Sequence, residues 1–200
     1  MIRLLAVLLL ASLLPWSGQN KVTSQGASDE LSYTADGQMR FPKHYREWVY
    51  LTSGMDMSYT AGATPGHHMF DNVFVNPSAY REFLKTGTWP DKTVLVLEVR
   101  GAETGASINK SGQSQAAEVM GYEAHVKDKM LLGGWGFFGF DEQHAPAKVV
   151  GRPASCYSCH EAHGAVDTTF VQFYPTLIGV AKQKGTLSPG YLKEIAAPKN

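Results

Sequence analysis

Residues Cys156-Tyr157-Ser158-Cys159-His160 read C-x-x-C-H and contain both cysteines of the 200-residue chain. That spacing attaches a haem covalently. Two thiols two residues apart each add to a haem vinyl group, and the adjacent imidazole then lies under the iron as its proximal ligand. Any fold this chain adopts must therefore seat a haem c against residues far toward its C-terminus. A structural zinc site would need a second ligand pair, and there is no second pair of cysteines. A thioredoxin-type dithiol would sit early, just after a strand of a βαβ unit. One haem per chain, held by Cys156 and Cys159 with His160 as metal ligand, is the expected reading.

The N-terminus agrees with it. Met1-Ile2-Arg3 is followed by an apolar run from 4 to 14 that breaks at Pro15, the pattern of an export signal over residues 1–18. The run falls short of the about 20 apolar residues that span a bilayer, so the mature form is expected off the membrane and in the periplasm. Trp16 leaves the cleavage position open, and no cysteine stands near it to carry a lipid anchor. With both thiols given to haem, no structural disulfide forms. Lys plus Arg equals Asp plus Glu at 18 each, and no basic run suggests a nucleic-acid partner.

Residues 19–40 are polar and contain Gly and Ser, which reads as a flexible leader to a single domain over 41–200. Within that domain the β-forming runs are 47–52, 68–75, 93–100, 119–127 and 135–140. Residues 53–67 and 101–117 read as loops. Asn76-Pro77 predicts a helix over 78–85 closed by Gly87, and helices are expected at the C-x-x-C-H segment and over 175–182. The stretch 169–173 is ambiguous. Short strands separated by Gly/Pro loops exclude a four-helix cytochrome, which needs 3.6-residue periodicity in four long segments. An ordinary electron-transfer cytochrome c usually carries the motif early and a methionine ligand downstream, and no methionine follows His160.

Four stretches carry a resemblance: FPKHYREWV (41–49), FDNVFVNPSAYREFLKTGTWPDKTVLVLEV (70–99), GYEAHVKD (121–128) and CYSCHEAHGAVDTTFVQFYPTL (156–177). Together they resemble the cytochrome P-460 family, and most closely its β-sheet cytochrome c′ branch. The resemblance implies a mainly β fold, an antiparallel sheet with a few short helices, usually as a homodimer. It also implies one c-type haem with an open distal position. Members that oxidise hydroxylamine carry a lysine cross-linked to the macrocycle, and the matching position here is Leu97; Lys85 and Lys92 are nearby in sequence. Glu123 matches a distal carboxylate that moves protons in the P-460 enzymes, although a solvated strand Glu fits the pattern equally.

Further candidates come from the residues themselves. Phe70 and Phe74 are expected to line the haem site with Leu97, and Trp135, Phe137, Phe138 and Phe140 are expected either there or in the core. His67, His68, Met55, Met57 and Met69 are potential sixth ligands, His125 a propionate partner, and His163 a neighbour of the motif. Lys148 and Arg152 precede the motif as potential propionate partners. The leading expectation is a gas-binding cytochrome with five-coordinate iron, taking nitric oxide or a similar diatomic ligand. The alternatives are a hydroxylamine oxidoreductase using Glu123, and an electron carrier with a sixth protein ligand and a periplasmic redox partner.

Overall fold

The computed structural model describes residues 31–59 and 67–197; the expected signal, residues 19–30 and residues 60–66 of the expected 53–67 loop lie outside them. Five strands, β1 (Val49–Met55), β2 (Met69–Val75), β3 (Val94–Glu103), β4 (Ser114–Lys127) and β5 (Trp135–Phe140), form one sheet in sequence order. Every neighbouring pair is antiparallel. Four helices accompany it among the described residues: α1 (Pro77–Thr86), α2 (Ser155–His163), α3 (Ile178–Lys184) and α4 (Pro189–Ala196). The fold is mainly β, as expected. Among the described residues no helix is long and apolar enough to cross a membrane.

The alternation of side chains gives the sheet two working faces. One carries Val75, Leu95 and Trp135, which pack with Ala79 and Phe83 of α1, Leu177 and Ala181 from the α3 region, and Trp89. The other carries Val94, Val96, Ala124, Val126, Phe138 and Phe140, covered by Met39, Phe41, Tyr45, Trp48 and Ala147. Residues 31–40 therefore correct the leader boundary. Met39 is 1% exposed and exchanges backbone hydrogen bonds with Ala147, and the Tyr33 hydroxyl donates to Asp128 at 3.0 Å. The polar composition of this stretch hid two anchors, Tyr33 and Met39.

Helix α1 runs one residue further at each end than the predicted 78–85, and Asn76 does not cap it with its side chain. Its amide instead bridges to β3, accepting from the Val94 N–H at 2.9 Å and donating to the Lys92 carbonyl at 3.1 Å. Gly87 closes the helix in the left-handed region with φ 76°, and a Cβ there would stand 2.7 Å from the Lys184 side chain. The 101–117 loop is shorter than expected, because β3 and β4 continue as a paired arm to Glu103 and Ser114. Much of that arm is solvent-exposed, so it shows no apolar alternation to read. Helix α4 was not anticipated, although Ser188-Pro189 is a start signal and the Ser188 hydroxyl accepts the Tyr191 N–H.

Behind the second face, Glu98 is 1% exposed and gathers Tyr45, Arg46, Arg100 and Asn72. Burial pushes its carboxyl upward. The hydrogen bonds from Arg100 and Tyr45 and the charges of Arg46 and Arg100 outweigh this and hold it below the ordinary range.

Candidate functional site

Helix α2 places Cys156, Cys159 and His160 at i, i+3 and i+4, which share one helical face. That face opens on a cavity of about 470 Å³ between α2, residues 169–174 and the first face of the sheet. The volume falls within the range of about 300–1,000 Å³ typical of small-molecule and cofactor sites. Tyr157 points the other way and anchors the helix. It is 5% exposed, its hydroxyl donates to the Val150 carbonyl at 2.7 Å, and the Arg152 guanidinium lies 4.4 Å from its ring centre. At the C-terminal end the chain turns back so tightly that a Cβ on Gly164 would stand 2.7 Å from the His160 carbonyl and 2.8 Å from the Thr169 nitrogen.

His160 is oriented by that return. Its Nδ1 donates to the Thr168 carbonyl at 2.7 Å, which fixes the tautomer and leaves the Nε2 lone pair for a metal. Its ring is boxed by His125, Phe137 and Phe170, with centroids 4.9, 4.7 and 4.1 Å away. Burial lowers the pKa of the imidazole and the hydrogen bond to Thr168 opposes this, so the ring is neutral near pH 7.

The sheet supplies the opposite wall as stacked cross-strand rows. Nearest His160 is the row Leu95–His125–Phe137. One pleat further on is Thr52–Val73–Leu97–Glu123–Gly139, and beyond that Gly54–Asp71–Val99–Gly121. Leu97 and Glu123 are thus direct neighbours on the cavity face, and both line it. Glycines 121 and 139 flank Glu123 and leave open space where a Cβ would stand. Glu123 meets solvent through the cavity, yet burial raises its carboxyl pKa, and the charge of Asp71 adds to the effect. Asp71 is itself raised by burial and then by Asp56.

The two thiols, the imidazole with a free Nε2, and the apolar wall of Val73, Leu95, Leu97, Phe137 and Phe170 fit the haem expected from C-x-x-C-H. Other expected residues fall elsewhere. Phe70 and Phe74 alternate with Asp71 and Val73, so they face away from the cavity; Phe74 packs on Tyr45 and Tyr50 at 5.4 and 5.7 Å. Phe138 and Phe140 belong to that same far face, whereas Phe137 lines the cavity. His125 is 9% exposed and turns toward Thr168, away from solvent.

Met57 lines the cavity, while Met55 is half-exposed. His68 pairs with Asp56 at 2.6 Å, His163 with Glu194 at 3.0 Å and Arg152 with Glu161 at 2.8 Å. Lys85 pairs with Glu82 at 2.9 Å and Lys92 with Asp128 at 2.7 Å, and no lysine lines the cavity among the described residues.

Sequence reasoning missed Asp71, Thr168 and Tyr174. Asp71 left a signal, since an aspartate inside a β-forming run is a poor strand residue. Thr168 acts through its backbone carbonyl and left none. Tyr174 is 7% exposed, lines the cavity, and has its phenol pushed far above the ordinary value by burial and then by Tyr59.

No curated protein matches the chain. The sequence model of the family described as Cytochrome P460 matches residues 42–171, a span that includes all five strands and the C-x-x-C-H helix. All of the cavity lining except Phe173 and Tyr174 falls inside that span, and the chain belongs to the cytochrome P460 family of haem-binding cytochromes.

Proposed function

We propose that this protein is an exported, mono-haem c-type cytochrome of the β-sheet c′ type that binds nitric oxide or a similar diatomic gas. The observation that carries the reading is the occupant of the middle row. Leu97 stands beside Glu123 on the cavity wall, and no lysine lines the cavity among the described residues. A cross-link of the hydroxylamine-oxidising kind therefore has no side chain to form it there.

Each residue has a part in this reading. Cys156 and Cys159 would hold the haem through thioether bonds to its vinyl groups. His160 would ligate the iron through Nε2, with Nδ1 held by Thr168. The haem supplies an iron that binds small diatomic ligands and changes oxidation state. Val73, Leu95, Leu97, Phe137 and Phe170 give the cavity an apolar wall against which a diatomic gas would sit. A homodimer in the periplasm, with a redox partner there, completes the proposal.

A second reading has its own support. Glu123 and Asp71 share the cavity, and burial raises both carboxyls, a shift in the direction that suits a group that takes and gives protons. That favours a P-460-type oxidation of a hydroxylamine-like substrate. The reduced protein, matured in a host that attaches haem c, separates the readings. An ordinary high-spin spectrum that changes with nitric oxide, and haem peptides containing Cys156 and Cys159 alone, supports gas binding. A strongly red-shifted Soret band with a lysine-bearing haem peptide overturns it. A low-spin spectrum without added ligand points to a sixth protein ligand, for which Met57, which lines the cavity, is a candidate.

A further inference from the structure

A second histidine is tied to the proposed iron ligand through one residue. Thr168 uses both of its polar groups at once. Its carbonyl accepts from His160 Nδ1 at 2.7 Å, and its hydroxyl contacts His125 Nε2 at 3.2 Å. His125 is in turn packed among aromatic rings. It lies flat on Phe137, with centroids 4.1 Å apart and planes 11° apart, and against Trp135 at 4.5 Å. Its ring edge meets His160 directly at 4.9 Å and 79°. The backbone of the 164–169 return is fixed from a separate direction, by Thr169 donating its hydroxyl to Val166 and accepting from Trp89 Nε1 at 2.8 Å each.

From this geometry we infer that His125 is a positioning residue for His160, acting through Thr168. This clamp would then decide whether His160 stays bound when the haem iron takes up nitric oxide. It rests on the reading of His160 as iron ligand. Nitric oxide weakens the bond opposite to it, so a proximal imidazole that can swing loses its place and one held on two sides keeps it. Residues that orient a ligand of the first shell commonly matter about as much as the ligand itself. A histidine on a regular strand in the row nearest His160, sharing a threonine with it, has the placement for that task.

The test uses the reduced holoprotein and nitric oxide gas, with two readouts. One is the iron–imidazole stretching band before the gas is added. The other is the ratio of histidine-bound to histidine-released nitric oxide complex afterwards. Thr168→Val removes the hydroxyl but keeps the carbonyl and the shape, on a half-buried residue that tolerates the change. His125→Phe keeps the stacking and removes the nitrogen. Each variant is expected to shift the ratio toward the released form about fivefold, the worth of one neutral hydrogen bond. The double variant is expected to go no further than the larger single one, because both remove the same contact. A Thr168→Val protein with unchanged band and ratio overturns the inference, as does an additive double variant. Absence of the iron–imidazole band from a five-coordinate, high-spin ferrous protein overturns the ligand reading and this inference together.

Discussion

Leu97→Lys places a primary amine on the cavity wall and tests the site more sharply than any deletion. Leu97 is half-buried between Val73 and Glu123 in its row. Withdrawing its apolar surface from the cavity costs about 1–2 kcal/mol, part of the roughly 1.5–3 kcal/mol for a fully buried leucine. The introduced ammonium gains a carboxylate directly across the strand pair, worth about 0.2–1 kcal/mol in such a position. The net loss is thus about 1 kcal/mol, or about 2–4 °C in Tm for a chain of this size.

The sign of the electrostatic effect is fixed. Burial and Asp71 raise the Glu123 carboxyl, so an adjacent cation brings it down. Two assays read the outcome. Mass spectrometry of haem peptides looks for residue 97 joined to the Cys156–Cys159 peptide. A pH titration of the ferric spectrum follows a transition that Glu123→Gln removes, and the Leu97→Lys protein is expected to show it at lower pH. A folded, haem-loaded variant with neither the adduct nor the lowered transition would refute the placement of Leu97 against the haem.

Replacing Cys156 and Cys159 together by Ser is expected to abolish covalent attachment, so that acid–organic extraction removes all haem from the variant and none from the unsubstituted protein. Gly164→Ala forces a methyl within 2.7 Å of the His160 carbonyl and 2.8 Å of the Thr169 nitrogen. It is expected to cost about 1–3 kcal/mol by chemical denaturation and to displace Thr168, with a weaker iron–imidazole band. Glu98 governs acid stability, because its folded pKa is depressed and its contribution, present above the unfolded value, is lost as pH falls through the folded one. Glu98→Gln is therefore expected to be less stable than the unsubstituted protein at neutral pH and to approach it at acid pH, below the ordinary carboxylate range. Equal losses at both pH values would show that the charge is not responsible.

The legible and hidden parts of the sequence divide on physical grounds. Strand β5 was read residue for residue, because Trp135 to Phe140 are bounded by turn-forming glycine and a charged turn. The C-x-x-C-H segment was read as a helix with its three chemical groups together, since i, i+3 and i+4 spacing leaves no other face for them. Phe70 and Phe74 went to the wrong side because FDNVFV is apolar on both sides of the strand. A run like that fixes the strand but not its register, and a one-residue slip exchanges the faces. Asp71 and Val73, not the phenylalanines, reach the cavity. The clamp by Thr168 and the covering role of Met39 depend on contacts across 8 and 108 residues, Thr168 to His160 and Met39 to Ala147, and local pattern carries neither.

The row architecture also has an evolutionary consequence. Along β3, Leu95 and Leu97 look toward the haem site, while Val94, Val96 and Glu98 look toward the covered side. Only Leu95 also belongs to the buried cluster on its face. Successive codons in this strand therefore answer to different selection pressures. Ligand preference can drift at position 97 and its row partners Val73 and Glu123 while residues one step away go on supporting the fold. Substitutions on opposite faces share no packing partner and are expected to combine additively, whereas changes within the Val73–Leu97–Glu123 row are expected to be epistatic. On the proposed reading, a few changes in this one row would move the sheet between reactive and merely gas-binding chemistry.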